Sequence, residues 1–160
     1  MRAFWRRRES DWERPEPPVQ VAVEAVGYVR NEVGRPRPRG WEKVESVLEF
    51  RAAHEPRLVG IERYSHAIVV CYLDVAAAAP EKPEQVTLPS GNMYGIFATR
   101  SQLRPNHLGV SVVRVLGRNG SRVRVSGLDA IDGTPILDIK PYLPEYDSAP
   151  DATVPEGRTK

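Results

Sequence analysis

The sequence predicts an all-β fold, a barrel or a sandwich, and three observations carry that expectation. Short apolar runs rich in β-branched residues recur along the chain, some six of them, with turn residues between. No sustained helical period accompanies them. One asparagine–glycine pair, Asn119-Gly120, separates two alternating runs as a hairpin turn would. Closing or stacking short antiparallel strands is how such a chain buries its apolar faces.

The elements follow in order. Residues Val21 to Arg30 alternate well enough for a strand, and Trp41 to Phe50 carries Val44, Val47, Leu48 and Phe50, which fits a strand or a short helix. Ala67 to Leu73 is short, unbroken and β-branched, as expected of a strand covered on both faces. Val75 and the alanines Ala76 to Ala79 allow one helical turn, which Pro80 and Pro83 stop. Tyr94 to Ala98 is a further strand candidate. Val110–Leu116 and Arg122–Ser126 form the arms of the hairpin, and Pro135 to Ile139 adds one more strand.

Composition sets the outer bounds. With 160 residues, 41% hydrophobic and 28% charged, one soluble domain is expected. The single cysteine, Cys71, excludes an intramolecular disulfide and a cysteine-rich zinc site. His54, His66 and His107 lie too far apart for a sequence-local metal cluster. The longest apolar run, Ala67 to Leu73, falls well short of the roughly 20 residues a membrane-spanning helix needs. Arg2 and Arg6 to Arg8 have no apolar stretch behind them, so no secretory signal is read and a cytoplasmic location is expected. Residues 1–19 read as a flexible charged tail, 20–147 as the folded domain, and 148–160 as a loose polar tail.

The net charge of +2 conceals an asymmetry. Between Gln85 and Leu128 there is no Asp or Glu, while Arg100, Arg104, Arg114, Arg118, Arg122 and Arg124 all fall there. Arginine outnumbers lysine 19 to 4, and its planar fork suits phosphate and carboxylate. Either an anion-facing surface or a plainly solvated face follows from this pattern.

Three segments hold the chemistry. Gly95 to Ser111 runs from a strand end into a polar loop with Thr99, Arg100, Ser101, Arg104 and Asn106, a set able to grip an anionic or amino-acid-like group. Gly109 permits close backbone approach there. Gly127 to Tyr142 interleaves Asp129, Asp132, Asp138 and Lys140 with apolar residues around an Asp132-Gly133 turn. It suits a ribose contact or a structural Asp–Lys network; a magnesium site is a further reading, but nothing in the segment fixes the substrate phosphates such an ion usually wants, and no metal is expected. His66 stands at the mouth of the apolar run, either as a satisfied core histidine or as a site residue. A phosphate-binding Walker loop and a G-x-G-x-x-G are both missing.

Together these segments resemble the TsaA/TrmO family, also called YaeB or VirR-like. Gly95-Ile-Phe-Ala-Thr-Arg-Ser101 and Arg104-Pro105-Asn106, with Gly109 and Ser111, match its central motif. Asp129 to Tyr142 is similar to its D-x-x-D-G-T-P-x-L-D-I-K-P-Y at every fixed position. Gly60-Ile-Glu-Arg-Tyr-Ser-His66 and Val26-Gly-Tyr-Val-Arg30 resemble two shorter family segments, so the likeness spans roughly residues 21–147.

The resemblance implies a single-sheet β-barrel with minor helical segments. It implies an S-adenosyl-L-methionine-dependent methyltransferase acting on N6 of threonylcarbamoyl-adenosine beside the tRNA anticodon, and working as a homodimer. The methyl donor would meet Arg39, His66, Asp74, Thr99 and Arg100, and would be wrapped by Leu128, Asp129, Ile131, Asp132, Gly133 and Thr134. Arg104, Asn106, His107 and Lys140 would meet the substrate, and Asp132 or Tyr142 would act as general base.

The chain departs from the family at named places. Gln102, Leu103 and His107 replace Pro, Phe and Pro, and Asp74 stands where a histidine is usual. Pro38-Arg39-Gly40 is the nearest counterpart of a P-R-Q motif, and no R-P-P-R-x-G-G run precedes Asn92. A small-metabolite or peptide acceptor, and a non-catalytic RNA- or nucleotide-binding module, stand as rival readings.

Overall fold

The structure, a computed structural model, describes residues 15–155. The basic residues Arg2 and Arg6 to Arg8 lie outside them. Six strands form one closed antiparallel barrel in the order β1-β2-β7-β6-β3-β8. These are β1 (Gly27–Arg30), β2 (Glu45–Phe50), β3 (His66–Tyr72), β6 (Leu108–Asn119), β7 (Arg122–Ser126) and β8 (Pro135–Pro141). A separate two-stranded arm joins β4 (Gln85–Thr87) to β5 (Met93–Gly95). Two single-turn helices, α1 (Asp74–Ala77) and α2 (Pro144–Asp147), complete the regular structure. No helix among the described residues is long and apolar enough to cross a membrane.

The alternation that marks the strands also fills the barrel. Val29, Leu48, Ala67, Val69, Cys71, Val113, Val123, Val125 and Ile136 all point inward and are buried. Removing one such side chain, as in Leu48→Ala, costs about 2–5 kcal/mol. Burial pushes the Cys71 thiol up to about 12. Leu58 and Ile61, from two short 3-10 segments, join the same core.

Four sequence expectations change in detail. The first strand begins at Gly27, not Val21. Val21 and Val23 have no strand to pair with and stay exposed. Gly27 itself is required, because a Cβ there would sit 2.5 Å from the Glu49 carbonyl oxygen on β2. On β3 only alternate residues are buried, so Ile68, Val70 and Tyr72 lie on an outer face left partly exposed among the described residues. Residues Tyr94 to Ala98 split into the end of β5 and a 3-10 turn, Ile96–Ala98, which the Thr99 hydroxyl closes by donating to the Ile96 carbonyl at 2.8 Å. The hairpin loop is Gly120-Ser121, one residue later than expected, with Asn119 ending β6 opposite Arg122. Gly120 takes the positive φ of 58° at the first loop position.

Candidate active site

A cleft opens beside the barrel mouth where four chain segments meet. Its outer part, about 490 Å³, lies between the Pro36–Pro38 loop, Leu73, the Arg100–Arg104 loop, the start of β6 and Asp129. An inner recess continues from it past Trp41, Asp74, Ala76, Ile131 and Thr134. Pro36, Arg37, Leu73, Gln102 and Asp129 line both parts, so the two form one space.

Each wall has a local cause. The Arg100 loop is stiffened by its own polar groups. Ser101 N–H donates to Thr99 Oγ1 at 3.2 Å, Leu103 N–H donates to Ser101 Oγ at 3.2 Å, and Arg104 Nη1 donates to the Thr99 carbonyl at 3.2 Å. His107 ends the loop at a left-handed φ of 49°. Its carbonyl accepts from Leu73 N–H at 2.8 Å, which fixes the loop to the end of β3. Arg100 Nη2 donates to the Val110 carbonyl at 2.6 Å, placing the guanidinium on the cleft wall. Gly109 lets Leu73 pack closely, since a Cβ there would stand 3.0 Å from Leu73 Cδ2.

The opposite wall is the 36–41 loop. The Arg37 guanidinium lies 4.9 Å over the Trp41 ring and donates to the Gly40 carbonyl at 2.7 Å. Trp41 Nε1 donates back to the Arg37 carbonyl at 2.9 Å. The third wall is the bend from Asp129 to Thr134, turned by Gly133 at φ 82°. Loss of water raises the pKa of Asp129, and the positive charge of Arg100 works against that rise.

The structure thus brings Asp74, Arg100, Arg104, Asp129, Ile131 and Thr134 into one cleft. Other sequence-stated residues lie elsewhere. Asp132, offered as a base, is at the surface, where its Oδ1 accepts Asn31 N–H at 3.1 Å. It braces the bend and does not line the cleft. Tyr142 and His66 lie together on the outer barrel, ring centroids 6.5 Å apart, and Lys140 pairs with Asp138 at 2.5 Å on the same side. Thr99 and His107 are buried within their loop, Leu128 is in the core, Gly133 forms the bend, and Asn106 is exposed away from the lining. Arg37 takes the lining place expected of Arg39. Trp41, Leu73 and Gln102 were not anticipated. The rigid Pro36-Arg-Pro38 run leading to an aromatic was the signal for the first of these.

The basic stretch also resolves. Arg118 pairs with Glu62 at 3.0 Å, Arg122 with Glu49 at 2.6 Å and Arg124 with Glu45 at 3.0 Å. Half of its six arginines are therefore matched by carboxylates from other elements.

Comparison with known proteins agrees with this architecture. The family description "tRNA-methyltransferase O N-terminal domain" matches residues 28–148. A putative S-adenosylmethionine-dependent methyltransferase, RcsF, of Pseudomonas aeruginosa is 43% identical over 142 residues, covering 82% of this chain and 61% of that protein. A human tRNA (adenine(37)-N6)-methyltransferase is 35% identical over 141 residues, covering 80% of this chain and 31% of its own length. A crystal structure of TrmO from Pseudomonas aeruginosa superimposes with a TM-score of 0.68 at 32% identity, covering 84% of this chain and 62% of that one. The chain thus spans less than two thirds of these three relatives. From the matched barrel and the extent of the identity, the chain belongs to the tRNA-methyltransferase O N-terminal domain family.

Proposed function

We propose that this protein is an S-adenosyl-L-methionine-dependent methyltransferase whose acceptor is a tRNA adenosine, N6-threonylcarbamoyladenosine beside the anticodon. The observation behind this is the single cleft shared by Arg100 and Asp129, two residues on separate segments that converge at its mouth. The named functions of the relatives support the chemistry. A cytoplasmic site of action goes with such an acceptor.

The cleft suits the donor. At about 490 Å³ its outer part falls in the range of small-molecule sites, about 300–1,000 Å³. The donor carries a carboxylate, a sulfonium cation and an adenosine. Arg100 and Arg37 offer guanidinium forks to the anion. Asp129 and Asp74 offer carboxylates to the positive or hydroxyl-bearing parts. Leu73, Ala76 and Ile131 offer apolar surface to the base. When bound, the donor supplies an electrophilic methyl group. The chain's residues hold the acceptor nitrogen close and in line. Asp129, rather than Asp132, is the carboxylate placed to hold a proton leaving that nitrogen.

A homodimer is part of this reading. On the outer side of β3 and β6, Tyr72 faces Leu108, Val70 faces Val110 and Ile68 faces Val112. Val110 and Val112 are about half exposed, at 45% and 52%. A contiguous apolar patch of this kind marks an interaction surface. Leu108 and Val110 also line the cleft, so a second copy seated there would border the site.

The test pairs calorimetry with methyl transfer. The protein is expected to bind S-adenosylmethionine and to label unfractionated tRNA from labelled donor. The Arg100→Ala variant is expected to lose about 10- to 150-fold in donor affinity, as for one charge-assisted hydrogen bond. No heat with the donor, alongside salt-sensitive tRNA binding, would instead identify a non-catalytic module. Equal labelling of tRNA lacking the threonylcarbamoyl group would reject the proposed acceptor.

A further inference from the structure

A second concavity adjoins the cleft. It is an apolar groove of about 650 Å³ between the two-stranded arm and the Arg100 loop, walled by Pro83, Phe97, Leu103 and Pro105. Phe97 is 75% exposed, although its neighbour Ile96 is buried. The 3-10 turn explains this contrast. Thr99 closes the turn on the Ile96 carbonyl, and Ile96 N–H is tied to the Glu84 carbonyl at 2.8 Å. The backbone is thereby pinned with the phenyl ring outward.

Two features restrict what the groove takes. Its cationic side chains are Lys82 and Arg104, against the one carboxylate of Glu84, so an apolar, flat surface is combined with attraction for an anion. Arg104 also lines the cleft, so groove and cleft adjoin at this one residue. A polynucleotide that places one base in the cleft must carry its neighbour past Arg104. Single-stranded RNA loops are recognised by this combination, with unstacked bases on aromatic rings and phosphates beside cations.

We propose that Phe97 is a stacking platform for a nucleobase flanking the methylated one, with Arg104 and Lys82 facing the intervening phosphates. This rests on the tRNA acceptor proposed above and assigns the groove to RNA rather than to protein.

The test is binding of unfractionated tRNA by wild type, Phe97→Ala and Phe97→Tyr. Loss of one stack is expected to weaken tRNA binding by about 5- to 150-fold in the alanine variant, with the tyrosine variant close to wild type. Affinity for S-adenosylmethionine and the thermal midpoint are expected to stay unchanged, since Phe97 lies outside the cleft lining and the core. Unchanged tRNA affinity in Phe97→Ala, with wild type binding well, overturns the platform and leaves the proposed activity standing. A shift of Phe97→Ala from dimer to monomer also overturns it, because the groove then belongs to a second copy. Failure of wild type to bind tRNA overturns both.

Discussion

The β1–β2–β7 side of the barrel and its β3–β6 side share one inward pattern of valines and differ in every other way. On the first side most outward residues are charged, and three arginines are matched by carboxylates. Arg30 and Arg122 both bond Glu49, at 3.0 and 2.6 Å, and Arg124 bonds Glu45. The two arginines hold the Glu49 carboxyl below its ordinary range. On the second side the outward residues are valine, isoleucine, leucine and tyrosine from Ile68 to Tyr72 and Leu108 to Val112, with His66 and Arg114 at one end. The contrast teaches that outward residues, rather than the strands, decide what a barrel face meets. Exposed ion pairs contribute about 0–1 kcal/mol each and suit contact with water. An uncovered apolar row suits contact with protein.

That contrast can be broken most severely at Val112. Val112→Glu puts a charge in the apolar row opposite Ile68, and light scattering is expected to find the variant monomeric and the wild type, on the proposed reading, dimeric. The fold should survive, because Val112 points away from the core. A dimer in the variant would remove the apolar face from consideration.

A smaller effect tests the cleft, which borders the β3–β6 side at Leu108 and Val110. Partial loss of water in the cleft raises the pKa of Asp129 above the ordinary aspartate value, against the pull of Arg100. An ionised Asp129 favours a cationic donor. Donor affinity should therefore fall as pH drops through that raised pKa, and Asp129→Asn should flatten the calorimetric pH profile. A profile identical in the two proteins would separate Asp129 from the donor.

The smallest effect belongs to the charged side. Arg122→Ala removes one exposed pair and should shift unfolding free energy by no more than about 1 kcal/mol. Dimerisation and donor binding should not change. A large loss of either would move the functional surface to β7.

Much of this was legible in the sequence where the signal was local. β6 and β7 follow from alternation about a turn pair, and β3 and β8 from short apolar runs, although the one-sided burial of β3 does not. Arg100 stands out as part of a polar loop that follows a strand end, whereas Asp129 enters through the motif resemblance of residues 129–142. What was not legible depended on distant partners. The arginines of β6 and β7 looked like an anion-binding run, yet their carboxylates come from residues 56 to 79 positions away. Asp132 looked catalytic, yet Asn31 from β1's far side claims it. Leu73 and Gln102 carry no local mark of a site, since the space they line exists only when four segments have met.

Cys71 gives the barrel a reporter of its own. Its thiol is held protonated and out of reach between β6 and β8. An alkylating reagent can attack only after β3 has parted from its neighbours. With no other cysteine in the chain, each labelled molecule counts one opening event, and the labelling rate becomes a clock for how often the closed sheet comes apart.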